Sequence, residues 1–222
     1  MGRQAAGGAP MPRLTVFGAT GGVGAHLLPL ALAKGHEVTA VARDPVKITL
    51  RHDRLRVVCG DILDRASVEQ AVSGAEAVLS TVGPRSRRDG PVCGPGVAHV
   101  IAAMREVGIR RLVAVSAAPV PDHDAGEKVL YRLTIRKVLR AVLKDLYTDL
   151  AVMEGEARRS DLDWTIVRPP RLTDKPATGT YRTALGRNVP GGHLISRADL
   201  AAEMLRTLTD PATFRTTVGI GY

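Results

Sequence analysis

Aromatic side chains make up only 3% of this chain, too few for the stacking platforms on which single-stranded nucleic acids are bound. There are two cysteines, Cys59 and Cys93, and their spacing matches neither a CxxC motif nor a zinc site. With no secretory signal ahead of them, they point to a reduced, cytoplasmic protein. The six histidines (26, 36, 52, 99, 123 and 193) show no paired spacing, so no metal is expected. A GxSxG elbow and a Walker lysine are also missing, which removes the commonest hydrolase and P-loop readings. No apolar run approaches the roughly 20 residues that span a bilayer. Negative charge is the scarcer sign: 22 acidic against 31 basic residues, a net charge of +9. The arginines are spread along the whole chain and form no tract, so they read as solvated helix faces with no nucleic-acid partner. Such a surface still draws phosphate-bearing small molecules.

With 45% hydrophobic and 24% charged residues over 222 positions, the chain suits one α/β domain. Residues 1–12, "MGRQAAGGAPMP", have no periodicity and read as a disordered leader, leaving 13–222 as the domain. There, short apolar runs alternate with helical patterns: "RLTVFG", "EVTAVAR", "LRVVCGD", "AEAVLSTVG", "IRRLVAVSA" and "LDWTIVRPP" as six strands, with "RADLAAEMLRTLTD" a late helix. Continuous apolar strands between amphipathic helices predict a doubly wound parallel sheet of Rossmann type, with a small substrate-side region near the C-terminus.

The first strand runs into "GATGGVG", with Gly18, Gly21 and Gly24 opening a helix. Glycines so placed allow a tight turn, close approach to a pyrophosphate and close helix–strand packing. At the end of strand two, "VARDP" puts Arg43 where NAD-selective proteins carry an acid, and Lys47 follows within reach of the same group. A guanidinium there suits a 2′-phosphate, so NADPH is expected over NADH. Asp61 in "CGDIL" can accept from the adenine amino group or cap the next helix, and Val82 and Gly83 in "STVGPR" let the chain pass close to a ribose.

These motifs, with "AAM…G…LVA" and the tail "PPRLTDKPATGTY…ISRADLAAEML", resemble the atypical short-chain dehydrogenase/reductases of the NAD(P)H-binding, NmrA-like branch. Within it the likeness is greatest to its flavin reductase/biliverdin-IXβ reductase group. The resemblance runs from about 13 to 210 and is weakest over 119–163. It implies that Gly18, Thr20, Gly21, Gly22 and Val23 hold the pyrophosphate, Arg43 and Lys47 the 2′-phosphate, and Asp61 with Ile62 the adenine. It further implies that Val82, Gly83 and Ser116 lie along the nicotinamide half, with Pro169, Pro170 and Arg171 passing over the carboxamide. Two departures stand out: Ala117 and Arg171 occupy positions where that group has a serine and a histidine. The Tyr-x-x-x-Lys dyad of typical family members is also absent, since "YRLTI", "YTDLA" and "YRTAL" lack the lysine that would lower a tyrosine's pKa. That argues against ordinary alcohol–ketone chemistry.

Hydride transfer to a flavin, a quinone-like compound or another conjugated small molecule asks less of the protein. Ser116 to orient or protonate, and Arg171 to stabilise charge, are the candidate catalytic residues. Tyr131 and Tyr147 are candidate substrate contacts, and Asp149 or Glu154 candidate acids. The stretch 126–160 reads as a pocket wall, with a homodimer face or a membrane-surface anchor as alternatives, no membrane partner being expected. Two other functions remain open: a non-catalytic NADP sensor and a secondary-metabolism tailoring enzyme on the same scaffold.

Overall fold

The computed structural model describes residues 11–84, 86, 89–118 and 144–222. Tyr131 and most of the amphipathic stretch after residue 126 therefore lie outside the described residues. Four parallel strands and three helices come first: β1 (Leu14–Phe17), α1 (Gly22–Ala33), β2 (Val38–Ala42), β3 (Leu55–Cys59), α2 (Arg65–Val72), β4 (Ala77–Ser80) and α3 (Cys93–Glu106). Next come β5 (Arg111–Val115), α4 (Lys144–Arg159), β6 (Asp163–Arg168), β7 (Arg171–Thr173), β8 (Arg182–Leu185), β9 (Leu194–Ser196), α5 (Arg197–Leu208) and β10 (Thr216–Gly221).

The main sheet has the order β3-β2-β1-β4-β5-β6-β10-β8, parallel throughout except that β8 runs antiparallel to β10. β7 and β9 form a separate parallel pair. The first six strands thus show the doubly wound order, in which the chain reverses direction at β1. The central strands β1, β4, β5 and β6 are buried on both faces, as their unbroken apolar runs require, while the edge strand β3 is only partly covered. In β1, Leu14 and Val16 pack with α1 and α5, while Phe17 packs with α2, α3 and α4. Thr15 buries its hydroxyl by donating to the carbonyl of Ala71 at 2.8 Å.

The lower edge of the sheet is pinned by Arg111, which is buried at the start of β5. Its guanidinium donates to the carbonyls of Leu208, Leu112, Asp163 and Thr207 and to the Thr165 hydroxyl, and lies 4.4 Å from the centre of the Phe214 ring. Burial pushes its pKa down to about 10, against the pull of Asp163 and Asp210. β7 to β10 were not among the six strands expected from sequence. They are short, partly exposed pieces without a run of apolar residues, apart from β10.

Candidate functional site

The upper, carboxyl edge of the strands carries a groove bounded by the turn after β1 and the ends of β2, β3 and β4. It brings together Gly18, Thr20, Gly21, Arg43, Asp61, Ile62, Val82 and Gly83. Gly18 sits at φ +79, and a β-carbon there would lie 2.7 to 2.9 Å from Thr81. Thr81 itself was not singled out in the sequence. Its hydroxyl lies 3.2 Å from the carbonyl of Phe17 and 3.1 Å from that of Gly18, tying the turn to β4. A β-carbon on Gly24 would run into the Gly18 carbonyl, so helix and turn meet backbone to backbone.

The amide of Gly21 donates back to Gly18 at 2.9 Å. The next three amides, of Gly22, Val23 and Gly24, find no acceptor among the described residues, and α1 has no side-chain cap and no acid in its first turn. Unpaired amides at the positive end of a helix are suited to an anion. The turn thus fits a dinucleotide's pyrophosphate on its own geometry.

At the other end of the groove Arg43 is exposed, and no described residue bonds its side chain. Lys47 is not brought there: its ammonium lies 3.2 Å from Asp44, outside the groove lining. Asp61 is no helix cap, because Asp64 caps α2 through the Ala66 amide. Asp61 instead accepts the Leu63 amide at 3.0 Å, which shapes the turn at the groove. Ile62 is buried against Gly96, where a β-carbon would come within 2.9 Å of it.

Ser116, Pro169, Pro170 and Arg171 lie beyond this groove, at the ends of β5 and β6. Backbone bonds staple the two ends together, from Ser116 to Val167 at 2.9 Å and from Ala118 to Pro169 at 2.8 Å. Arg171 opens β7 and is exposed. The Ser116 hydroxyl donates to Glu154 Oε1 at 2.7 Å. Glu154 is buried and also receives Nε and Nη2 of Arg168 and Nη2 of Arg158.

The sequence offered Ser116 to orient or protonate a substrate; the structure turns its hydroxyl onto Glu154. Asp149 and Glu154, offered as acids facing the substrate, are buried instead. Asp149 accepts the amides of Val92, Cys93 and Gly94 at 2.7 to 2.9 Å, capping α3. With burial, it also drives the Cys93 thiol far up, leaving it inert. Tyr147 is buried in the core between α3 and α4.

The tail motif acquires a physical reason. Asp199, fully buried, accepts the amides of Thr178 and Gly179, and the hydroxyls of Thr178, Ser196 and Tyr222, all at 2.6 to 3.1 Å. Burial would raise its pKa, but these donors outweigh it and hold the carboxyl at about 2. "ATGTY" and "ISRADL" are thus two halves of one lock, which fastens the loop before β8 to the start of α5.

Comparison with known proteins agrees with this geometry. The sequence model described as NAD(P)H-binding matches residues 18–211. The chain belongs to the NAD(P)H-binding family. The NAD(P)H-binding fold is shared with ChuY, an anaerobillin reductase from Escherichia coli O157:H7, at 27% identity and a TM-score of 0.77 over 94% of this chain and 96% of that one. It is shared too with a short-chain dehydrogenase/reductase from Veillonella parvula in complex with NADP, at 22% identity and a TM-score of 0.77, covering 96% and 95% of the two chains. In sequence the chain is 38% identical over 133 residues to the 3-diazoavenalumate denitrifying reductase of a Streptomyces species, 51% of this chain and 43% of that protein. It is 31% identical over 156 residues to the (4-alkanoyl-5-oxo-2,5-dihydrofuran-3-yl)methyl phosphate reductase of Streptomyces griseus, 70% and 46% of the two. The chain therefore matches less than half the length of either Streptomyces reductase. Several of its NAD(P)H-binding relatives, these two among them, are named as reductases. No helix among the described residues is long and apolar enough to cross a membrane.

Proposed function

We propose that the protein is an NADPH-dependent reductase that delivers hydride to a conjugated, electron-poor small molecule such as a flavin or a quinone. The observation that carries the cofactor half is Arg43, exposed at the groove end with no described partner, while the neighbouring Asp44 is held by Lys47. An exposed guanidinium with no partner among the described residues favours a 2′-phosphate over a ribose hydroxyl. Bound there, NADPH would supply the hydride. The chain's own work is to seat the pyrophosphate on the amides after Gly21, to hold the adenine end at Arg43 and Asp61, and to keep the ends of β5 and β6 together.

The acceptor half follows from what the protein withholds. The sequence holds no Tyr-x-x-x-Lys dyad, and the Ser116 hydroxyl donates to Glu154. Charge developing on an isolated ketone oxygen would find no acid among these groups, whereas a conjugated acceptor spreads that charge over its own atoms. The Streptomyces griseus relative points the same way, since its named substrate holds a ring double bond conjugated to carbonyl groups.

The test is to follow reduced-nicotinamide absorbance with NADPH or NADH, with and without FMN or a soluble quinone. Acceptor-dependent oxidation of NADPH, faster than of NADH, is expected. Tight NADPH binding with no turnover on any conjugated acceptor would replace this reading with that of an NADP sensor.

A further inference from the structure

Arg197 opens α5, and its side chain crosses to the glycine-rich turn rather than to solvent. A β-carbon on Gly22 would lie 2.6 Å from its Cδ, 2.7 Å from its Nε and 3.6 Å from its guanidinium carbon. Gly22 is thus a seat for this arginine as well as part of the turn. The guanidinium is held by one exposed carboxylate, Asp174, with Nη1 to Oδ1 at 2.6 Å, and the arginine side chain is 28% exposed against 84% for Asp174.

The placement is electrostatically odd. A cation rests on the first residue of a helix whose leading amides find no acceptor among the described residues and whose first turn holds no acid. Such a helix end repels cations, and an anion bridging the two would turn both terms favourable. An exposed ion pair of the Arg197–Asp174 kind is weak and easily exchanged, whereas a guanidinium on a phosphate gains charge-assisted, paired hydrogen bonds.

We propose that Arg197 is a phosphate-binding residue of the cofactor site, and that Asp174 is the carboxylate from which the cofactor's pyrophosphate takes it. The proposal rests on the NADPH reading and adds to it a residue outside the strand-end motifs and a competitor for that residue. It makes predictions of opposite sign. Removing Arg197 weakens the cofactor, and neutralising Asp174 tightens it, a pattern that a merely structural ion pair does not produce.

The experiment titrates the full chain with NADPH and, separately, with adenosine 2′-monophosphate, which keeps the adenine and 2′-phosphate but lacks the pyrophosphate. Arg197→Gln should weaken NADPH about tenfold or more and leave the monophosphate unchanged. Arg197→Lys should recover part of the loss, and Asp174→Asn should tighten NADPH about two- to fivefold. Matching circular dichroism and thermal midpoints show that the variants are folded, and Asp174→Asn alters only an exposed side chain. NADPH affinity within twofold of the unaltered protein in Arg197→Gln overturns the proposal. So does equal weakening of both ligands, which would make the effect one of general charge. If the unaltered protein binds the monophosphate but not NADPH, or neither, the cofactor reading itself falls, and the proposal with it.

Discussion

Single residues divide here into those that face the groove and those that serve it from behind. Ser116 belongs to the second kind. Its position at a strand end suggested contact with substrate, but sequence could not show that a glutamate 38 residues away, with two arginines on it, would claim its proton. Ser116→Ala should therefore leave the pH dependence of hydride transfer unchanged and cost stability of about 1 kcal/mol, through the lost bond to a charged acceptor. A pH–rate profile of the variant beside a denaturant melt checks both. Loss of an acid limb from the profile would restore Ser116 as a proton donor. Arg43 is the contrasting case, legible from its place at the end of β2 because the doubly wound topology dictates what that place faces.

At the scale of elements, two buried ionised groups hold the framework. Arg111 joins β5, β6 and the end of α5 through donors to four carbonyls and a hydroxyl. Arg111→Met keeps much of the bulk and orphans those acceptors, and should lower stability by about 3–5 kcal/mol with no direct effect on cofactor affinity. Asp199 locks the loop before β8 to α5, and its carboxyl is held well below the usual carboxylate value. A depressed carboxylate pKa stabilises the fold above about pH 4, and that contribution is lost as pH falls toward about 2. Asp199→Asn should flatten stability over that window, as measured by thermal melts from pH 2 to 5. An unchanged acid slope would show that the lock carries little. The strand–helix alternation through β6 was legible because buried parallel strands are continuous apolar runs. β7, β8 and β9 were not, because each has three or four residues and takes its place from contacts such as this lock. The tail motif was visible as a pattern, but its meaning as a five-donor cage required the chain to be folded.

Over the whole molecule, the net charge of +9 and a groove ending in an arginine with no partner among the described residues favour encounter with a polyanionic cofactor. NADPH association should slow as ionic strength rises, in stopped-flow traces at 0.02 and 0.3 M salt, and an association rate indifferent to salt would remove any steering role for the surface. Composition disclosed that charge but not its use, because arginines such as Arg65, Arg105 and Arg206 are spent on surface pairs with Glu69, Asp161 and Asp210. What separates Arg43 from them is its site on the carboxyl edge. The central claim is that this edge binds NADPH through Arg43 and passes hydride to a conjugated acceptor. The most direct measurement is the ratio of kcat/KM for NADPH to that for NADH with FMN as acceptor, in the unaltered protein and in Arg43→Ala. The account predicts a ratio well above one that collapses by about 10- to 100-fold in the variant, through a higher KM for NADPH alone. A ratio near one in both proteins, or an equal loss with both cofactors, would contradict it.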